Sequence, residues 1–446
     1  MRKVLILGAG MVAKPIIKYL LEKKYFVTVA SKETINADAV MQGYENCKVV
    51  PWAVDQSEEL DKMIHDHDLT VSLLPWIYHV EVAKYCIKHK KDMITTSYVK
   101  PDMKALEQDC KKAGIIILNE LGLDPGIDHM SAMRIIDLVH DKDGKIEEFY
   151  SICGALPAPE AATNPLKYKF SWSPKGVIMA SNNDGKYLLD NKEVYIPSED
   201  IFKNPLSLNF MEIGELEIYP NRDSLPYIDL YGIPEVKSMM RGTFRYPGWC
   251  CTVDAMKALN LITTDTYNFT GKTYAEMVAT LINEKDPTNI RAKAAKHLNL
   301  KEESYAIKAI EWLGLFDNQP INRKEDSPFE IVSDLMMEKM KLGEKERDMV
   351  AMQHIFLASY PDGKKEVIKS SLLDFGMLAT DTAVAKTVAL PAAVGVDMIL
   401  NNKINKTGIH IPVIPEIYNP VLDELEKMDI KMIEEFDLPL SEKLNP

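Results

Sequence analysis

The chain has 446 residues, 46% of them hydrophobic, and a formal net charge of −13. That length predicts two to three domains with more than one apolar core, and the acidic balance excludes a nucleic-acid binder, which needs a basic face. No apolar run reaches the ~20 residues of a membrane-spanning helix, and six cysteines without paired spacing predict free thiols, no metal site and a soluble, cytoplasmic protein with no membrane partner.

The first predicted element is the strand Val4-Leu5-Ile6-Leu7, which runs into Gly8-Ala9-Gly10-Met11-Val12-Ala13 and a helical pattern at Ile16, Ile17, Leu20 and Leu21. Lys14 and Pro15 interrupt the apolar run, so it does not read as a secretory leader. A second strand, Phe26 to Ala30, closes a βαβ unit. In that setting Gly8 permits the turn and Gly10 lets a pyrophosphate approach the backbone. Small Ala13 allows close helix–strand packing, and the helix N-terminal N–H groups face the phosphates. Ser31-Lys32-Glu33 follows the second strand. Ser31 and Lys32 can donate to a 2′-phosphate, whereas Glu33 can reach a ribose hydroxyl, so NADP is favoured and NAD stays open.

Lys48-Val49-Val50, Leu69 to Leu74 and Met93 to Thr96 continue the alternation of strands and helices. Thr95-Thr96-Ser97-Tyr98-Val99 either contacts a ligand, with Tyr98 the better candidate, or caps the helix after Pro101. Ile115 to Leu118 reads as a buried parallel strand, and Met130 to Val139 as a helix. Between them, Asn119-Glu120-Leu121-Gly122-Leu123-Asp124-Pro125-Gly126-Ile127-Asp128-His129 lies at the strand's carboxyl end, where open α/β sheets bind ligands. Pro125 and Gly126 alone would mark only a tight turn. Acidic residues and a His beside that turn point to a functional site.

After Val139 the pattern changes. Glu147 to Ile152, Val177 to Ala180, Val194 to Ile196, Leu216 to Tyr219, His354 to Ala358 and Glu366 to Ser370 read as strands of a mixed or antiparallel sheet. Asp254 to Leu342 reads as a helical insertion, and Thr387 to Leu400 as an apolar helix. The expected fold is thus α/β. It comprises an N-terminal Rossmann domain (1–130, with 387–446 packing back on it), a mixed-sheet α+β domain (131–250 and 345–386) and a small helical insertion (251–344). Cys153 to Glu160, leading to Asn164 through Pro174, is dense in Pro and aromatics, as a loop on which something docks would be. Tyr219 to Asp223 and Met240 to Tyr246 read as loops whose Arg222 and Arg245 suit carboxylate recognition.

Gly-Leu-Asp-Pro-Gly-Ile-Asp-His, from Gly122, and Tyr-Lys-Phe-Ser-Trp-Ser, from Tyr168, closely resemble the glutamate-forming saccharopine dehydrogenases, or saccharopine reductases. The resemblance runs from Met1 to about Asn419. It implies that the mixed-sheet domain binds substrate and forms a homodimer. The implied reaction is reversible: saccharopine, water and NAD(P)⁺ give L-glutamate, α-aminoadipate δ-semialdehyde and NAD(P)H.

Position by position, it implies cofactor contacts at Ala9, Gly10, Met11 and Val12, then at Ser31, Lys32 and Glu33, and further ones at Val54, Leu74, Thr96, Ser97, Leu123, Asp124, Pro125 and Ser173. The implied substrate contacts are Ser97, Tyr98, Asp124, Arg222, Thr243, Phe244 and Arg245, with Cys153 at the reacting centre. The family's fungal NADP members show Cys-Arg-Thr where this chain has Ser31-Lys32-Glu33, and Asp-Val where it has Ala53-Val54, with Asp55 one residue on.

The chemistry of the residues agrees. Saccharopine carries three carboxylates, an ammonium and a secondary amine; Arg222 and Arg245 suit the first group and Asp124 the ammonium. No His is obviously placed as a base, so a bound water, or Asp124, Tyr98 and Cys153 adjusting the site's electrostatics, is expected rather than one strong general base. Two other readings are a reductase of another amino-acid or polyamine imine, and a non-catalytic dinucleotide-binding regulator. Paired arginines argue against the first, and Asp124 with Tyr98 against the second.

Overall fold

The computed structural model describes residues 1–323 and 325–446. It divides into two compact units, Met1–Ile146 with Leu357–Ser441, and Glu147–Phe356 with Glu442–Pro446.

The first unit is built on the parallel strands β1 (Lys3–Leu7), β2 (Phe26–Ser31), β3 (Cys47–Pro51), β4 (Leu69–Ser72), β5 (Asp92–Thr95) and β6 (Ile116–Leu118). Their spatial order is 3-2-1-4-5-6, and Gly408–His410 joins β6 as a seventh, parallel strand. β4 is buried along its whole length and β1 from Val4 onward, because helices cover both faces and the strands become nearly continuous apolar runs. On one face Leu60, Ile64, Val82, Ala83 and Cys86 pack on Leu5, Leu7, Met93 and Ile117. The helix Lys14–Glu22 packs against Ala383–Leu400. The latter has 18 residues and is apolar enough to cross a membrane by composition alone, but 72% of it is buried, as suits a core helix. The chain winds from β1 toward β2 and β3 on one side and toward β4, β5 and β6 on the other, so the ligand crevice of such sheets falls at the carboxyl ends of β1 and β4.

The second unit holds a mixed sheet in which Leu206–Phe210, Gly214–Pro220, Ser238–Arg245, Lys145–Pro157 and Asp348–Ser359 are neighbours in that order. Ser238–Arg245 runs parallel to Lys145–Pro157 and antiparallel to Gly214–Pro220. Among the described residues, five helices of eight residues or more follow between Trp249 and Lys339, one of them opened by a Thr273–Glu276 capping box.

Three expectations change here. Val177 to Ala180 is not a strand but the end of the helix Pro174–Ala180. Ser173 caps that helix, accepting from the Gly176 amide at 3.3 Å, and Pro174 opens it, so the Ser-Pro signal outweighs β-branched Val177 and Ile178. Met240 to Arg245 is not loop but strand, buried at every position of Ser238–Arg245. Cys153 to Pro157 likewise lies within the long strand Lys145–Pro157, and only the residues after it leave the sheet.

Candidate active site

The turn after β1 has the form that a pyrophosphate requires. Gly8 has φ +100°, and a Cβ there would lie 3.2 Å from the Leu73 carbonyl oxygen, so both conformation and space demand glycine. A Cβ on Gly10 would meet nothing within 4 Å, and Gly10 is exposed. Met11 is exposed and Val12 half-buried, whereas Ala13 is 2% exposed against the sheet. The helix Lys14–Glu22 carries no side-chain cap, which leaves its N-terminal amides for a ligand. The Ser31 hydroxyl accepts from the Ala9 amide at 3.3 Å and so braces the turn. Lys32 and Glu33 are exposed and make no hydrogen bond or ion pair among the described residues. Val54 and Leu74 pack at the edge of the apolar core, and Asp55 is exposed. The open glycine, uncapped helix and unpaired cation together fit a dinucleotide bearing a 2′-phosphate.

Farther along the same edge, the loops after β5 and β6 meet. The Tyr98 hydroxyl donates to Asp124 Oδ1 at 2.7 Å. From Ile115 to Met133 every residue is buried except Asp124, which is partly exposed. The chain has therefore enclosed this acidic motif and left one carboxylate at the surface. Two glycines shape it. A Cβ on Gly126, at φ +147°, would fall 2.0 Å from the Gly122 carbonyl oxygen, and one on Gly122 would meet Pro125 O at 3.1 Å and Thr96 Cβ at 3.2 Å.

Four residues to which the sequence analysis gave no individual role hold this edge together. Glu120, at φ +59° and 4% exposed, accepts from the Val99 amide at 2.8 Å through Oε1 and from His129 Nε2 at 2.8 Å through Oε2. Asp128 accepts from the Gly126 amide at 2.6 Å. His129 is thus a fully buried anchor of the helix Ile127–His140. His79, 4% exposed, sits among the hydroxyls of Ser72, Thr95 and Ser97. Its signal in the sequence was position: it lies in the segment that leads from the end of β4 into the next helix.

The remaining expected residues belong to the second unit. Arg245 is 4% exposed and lies 5.1, 5.7 and 5.3 Å from the ring centroids of Tyr168, Tyr219 and Trp249. Nη1 donates to the Phe244 carbonyl at 2.8 Å, while Nε is buried without an acceptor among the described residues. Arg222 is exposed, at φ +57°, in the two-residue strand Arg222–Asp223. Thr243 and Cys153 are each 9% exposed and are directly paired across neighbouring strands, while Phe244 is fully buried. Ser173 is the helix cap described above.

A strand order of 3-2-1-4-5-6, with phosphate-binding geometry at β1 and a carboxylate surfacing beside β5 and β6, defines a dinucleotide-binding oxidoreductase. Residues 4–118 match the saccharopine dehydrogenase NADP binding domain, and residues 122–430 the saccharopine dehydrogenase C-terminal domain. The chain is 35% identical to saccharopine dehydrogenase [NADP(+), L-glutamate-forming] of Schizosaccharomyces pombe, over 98% of this chain and 99% of that protein. It is 36% identical to mitochondrial alpha-aminoadipic semialdehyde synthase of Rattus norvegicus, over 95% of this chain and 47% of that protein. Among solved structures, apo saccharopine dehydrogenase (L-Glu forming) of Saccharomyces cerevisiae superposes with a TM-score of 0.91 at 35% identity, covering 98% of this chain and all of that one. The chain belongs to the saccharopine dehydrogenase family, and NADP is its cofactor.

Proposed function

We propose that this protein interconverts saccharopine, water and NADP⁺ with L-glutamate, α-aminoadipate δ-semialdehyde and NADPH, as an oxidoreductase of lysine metabolism. The observation that carries the reading is the Tyr98–Asp124 pair, at which an otherwise buried motif surfaces beside the dinucleotide turn. Asp124 holds the substrate's ammonium and stabilises positive charge as it develops on nitrogen. Tyr98 orients that carboxylate by donating to it. NADP⁺, when bound, supplies the hydride acceptor. The secondary amine first gives a proton to water, and hydride leaves the adjacent carbon as the C=N bond forms. Water then adds to that carbon, and the C–N bond breaks to release glutamate and the aldehyde.

Arg222 and Arg245 take carboxylates, Thr243 shapes the binding surface with fully buried Phe244 as its backing, and Cys153 lines the reacting centre. The buried Nε of Arg245, which has no acceptor among the described residues, supports its part in this assignment. At the dinucleotide end, Lys32 takes the 2′-phosphate. A homodimer and a cytoplasmic setting belong to the same proposal, the latter supported by six free cysteines.

Spectrophotometry tests the reaction. With α-aminoadipate semialdehyde present, NADPH oxidation should depend on L-glutamate, and saccharopine should reduce NADP⁺ in reverse. Equal turnover with amino acids that lack a side-chain carboxylate would assign the protein to another imine.

A further inference from the structure

His79 opens the helix His79–His89 at the carboxyl end of β4. Its Nδ1 lies 2.9 Å from the Ser72 hydroxyl, and its Nε2 lies 2.9 Å from that of Ser97 and 3.1 Å from that of Thr95. Ser72 ends β4, Thr95 ends β5, and Ser97 follows in the loop that carries Tyr98, so one imidazole gathers hydroxyls from two adjacent strand ends. Ser72 and Thr95 are 0% and 1% exposed, whereas Ser97 is half-buried. The Ser97 backbone is already held: its amide donates to Thr95 Oγ1 at 3.3 Å, and its carbonyl accepts from the Glu120 amide at 3.2 Å. What remains free is the side-chain torsion, which has three staggered wells in the absence of a partner.

We propose that His79 is a positioning residue: through Nε2 it locks the Ser97 hydroxyl in the one rotamer that presents it to the bound ligands, while Ser72 fixes the ring through Nδ1. This rests on the reading that Ser97 contacts cofactor and substrate. Burial pushes His79 down to about 4, so the ring is neutral at working pH and offers one donor and one acceptor. A neutral ring orients the serine without placing a second charge beside Asp124.

The two ring nitrogens make the idea separable by substitution. A glutamine amide reaches about as far as Nε2, and an asparagine amide only about as far as Nδ1. His79→Gln should therefore keep kcat/KM for saccharopine within about threefold of the parent, while His79→Asn should lose about 10-fold, the scale of a misplaced ligand contact. Ser97→Ala should lose a similar factor, and the double variant Ser97→Ala/His79→Asn should be no more than about twofold worse than Ser97→Ala alone, because both changes remove one interaction. Losses that multiply in the double variant, or equal losses in His79→Gln and His79→Asn, would overturn the proposal and leave His79 as core filling. Thermal midpoints of all four variants establish that each is folded. Full activity of Ser97→Ala would overturn it as well, by removing Ser97 from the ligands, while turnover of the unaltered protein with saccharopine reports separately on the reaction itself.

Discussion

Replacing Asp124 by Asn isolates charge from shape. The amide oxygen can still accept from the Tyr98 hydroxyl, which now lies 2.7 Å from Asp124 Oδ1, and the glycines that build the turn are untouched. What is lost is the attraction between a carboxylate and the cationic nitrogen of the substrate. An ion pair at about 4 Å gains about 4 kcal/mol at an effective dielectric of about 20. Asp124 is partly exposed, so solvent screens part of this, and about 1.5–3 kcal/mol is the net expectation for a charge-assisted contact. That corresponds to a fall in kcat/KM of about 10- to 100-fold. The assay is saccharopine-dependent NADP⁺ reduction over a range of saccharopine concentrations, with the thermal midpoint and NADPH affinity measured on the same preparation. The thermal midpoint should match the parent, and the NADPH affinity separates any loss at the cofactor from loss at the substrate. Tyr98→Phe and Cys153→Ser, which remove no charge, should lose less. Normal turnover in Asp124→Asn would refute the reasoning and reduce the motif to a turn.

Lys32, exposed and without a protein partner, should contribute mainly to the 2′-phosphate, so Lys32→Ala should raise KM for NADPH by about 10- to 100-fold and leave KM for NADH nearly unchanged; equal effects on the two cofactors would remove it from that role. Arg245→Lys keeps the charge but not the planar fork held among three rings, so KM for saccharopine should rise by at least about 10-fold while NADPH affinity stays within about twofold. Parallel losses in both affinities would mean that the arginine serves the fold. Burial holds His79 down to about 4, against 6.5 ordinarily, so below pH 6.5 the unfolded chain binds a proton that the folded one refuses. Its stabilising share is complete above that pH and is lost as pH falls toward about 4, amounting to about 2 kcal/mol between about pH 7 and about pH 5. Urea midpoints should accordingly fall more steeply over that interval in the parent than in His79→Gln, and identical slopes would contradict it.

The first unit was largely readable from the chain because parallel strands covered on both faces become apolar runs, and glycine turns punctuate them. Asp124 was readable for a related reason: polar residues beside Pro125 and Gly126 stood out against Ile115 to Leu118. His79 and Glu120 were not. Their roles arise only when β4, β5 and β6 lie side by side and bring Ser72, Thr95, Ser97 and Val99 to them, and no local spacing encodes that adjacency. In the second unit, Met240 to Tyr246 passed for a loop because Arg241 and Arg245 contradict the composition of a buried strand. Aromatic faces resolve the contradiction, with Tyr227 4.3 Å from the Arg241 guanidinium and three rings around Arg245.

Glu120 grips the Val99 amide with one oxygen and His129 with the other, and its own amide donates to the Ser97 carbonyl. The loops after β5 and β6 are therefore riveted into a single jaw, with Tyr98 on one plate and Asp124 on the other. A ligand arriving at this jaw finds its shape already set, and little of the contact energy is diverted into ordering the protein. The same rivet makes the jaw vulnerable as a whole: loosening Glu120 would misalign the phenol and the carboxylate together, although it touches neither reacting atom.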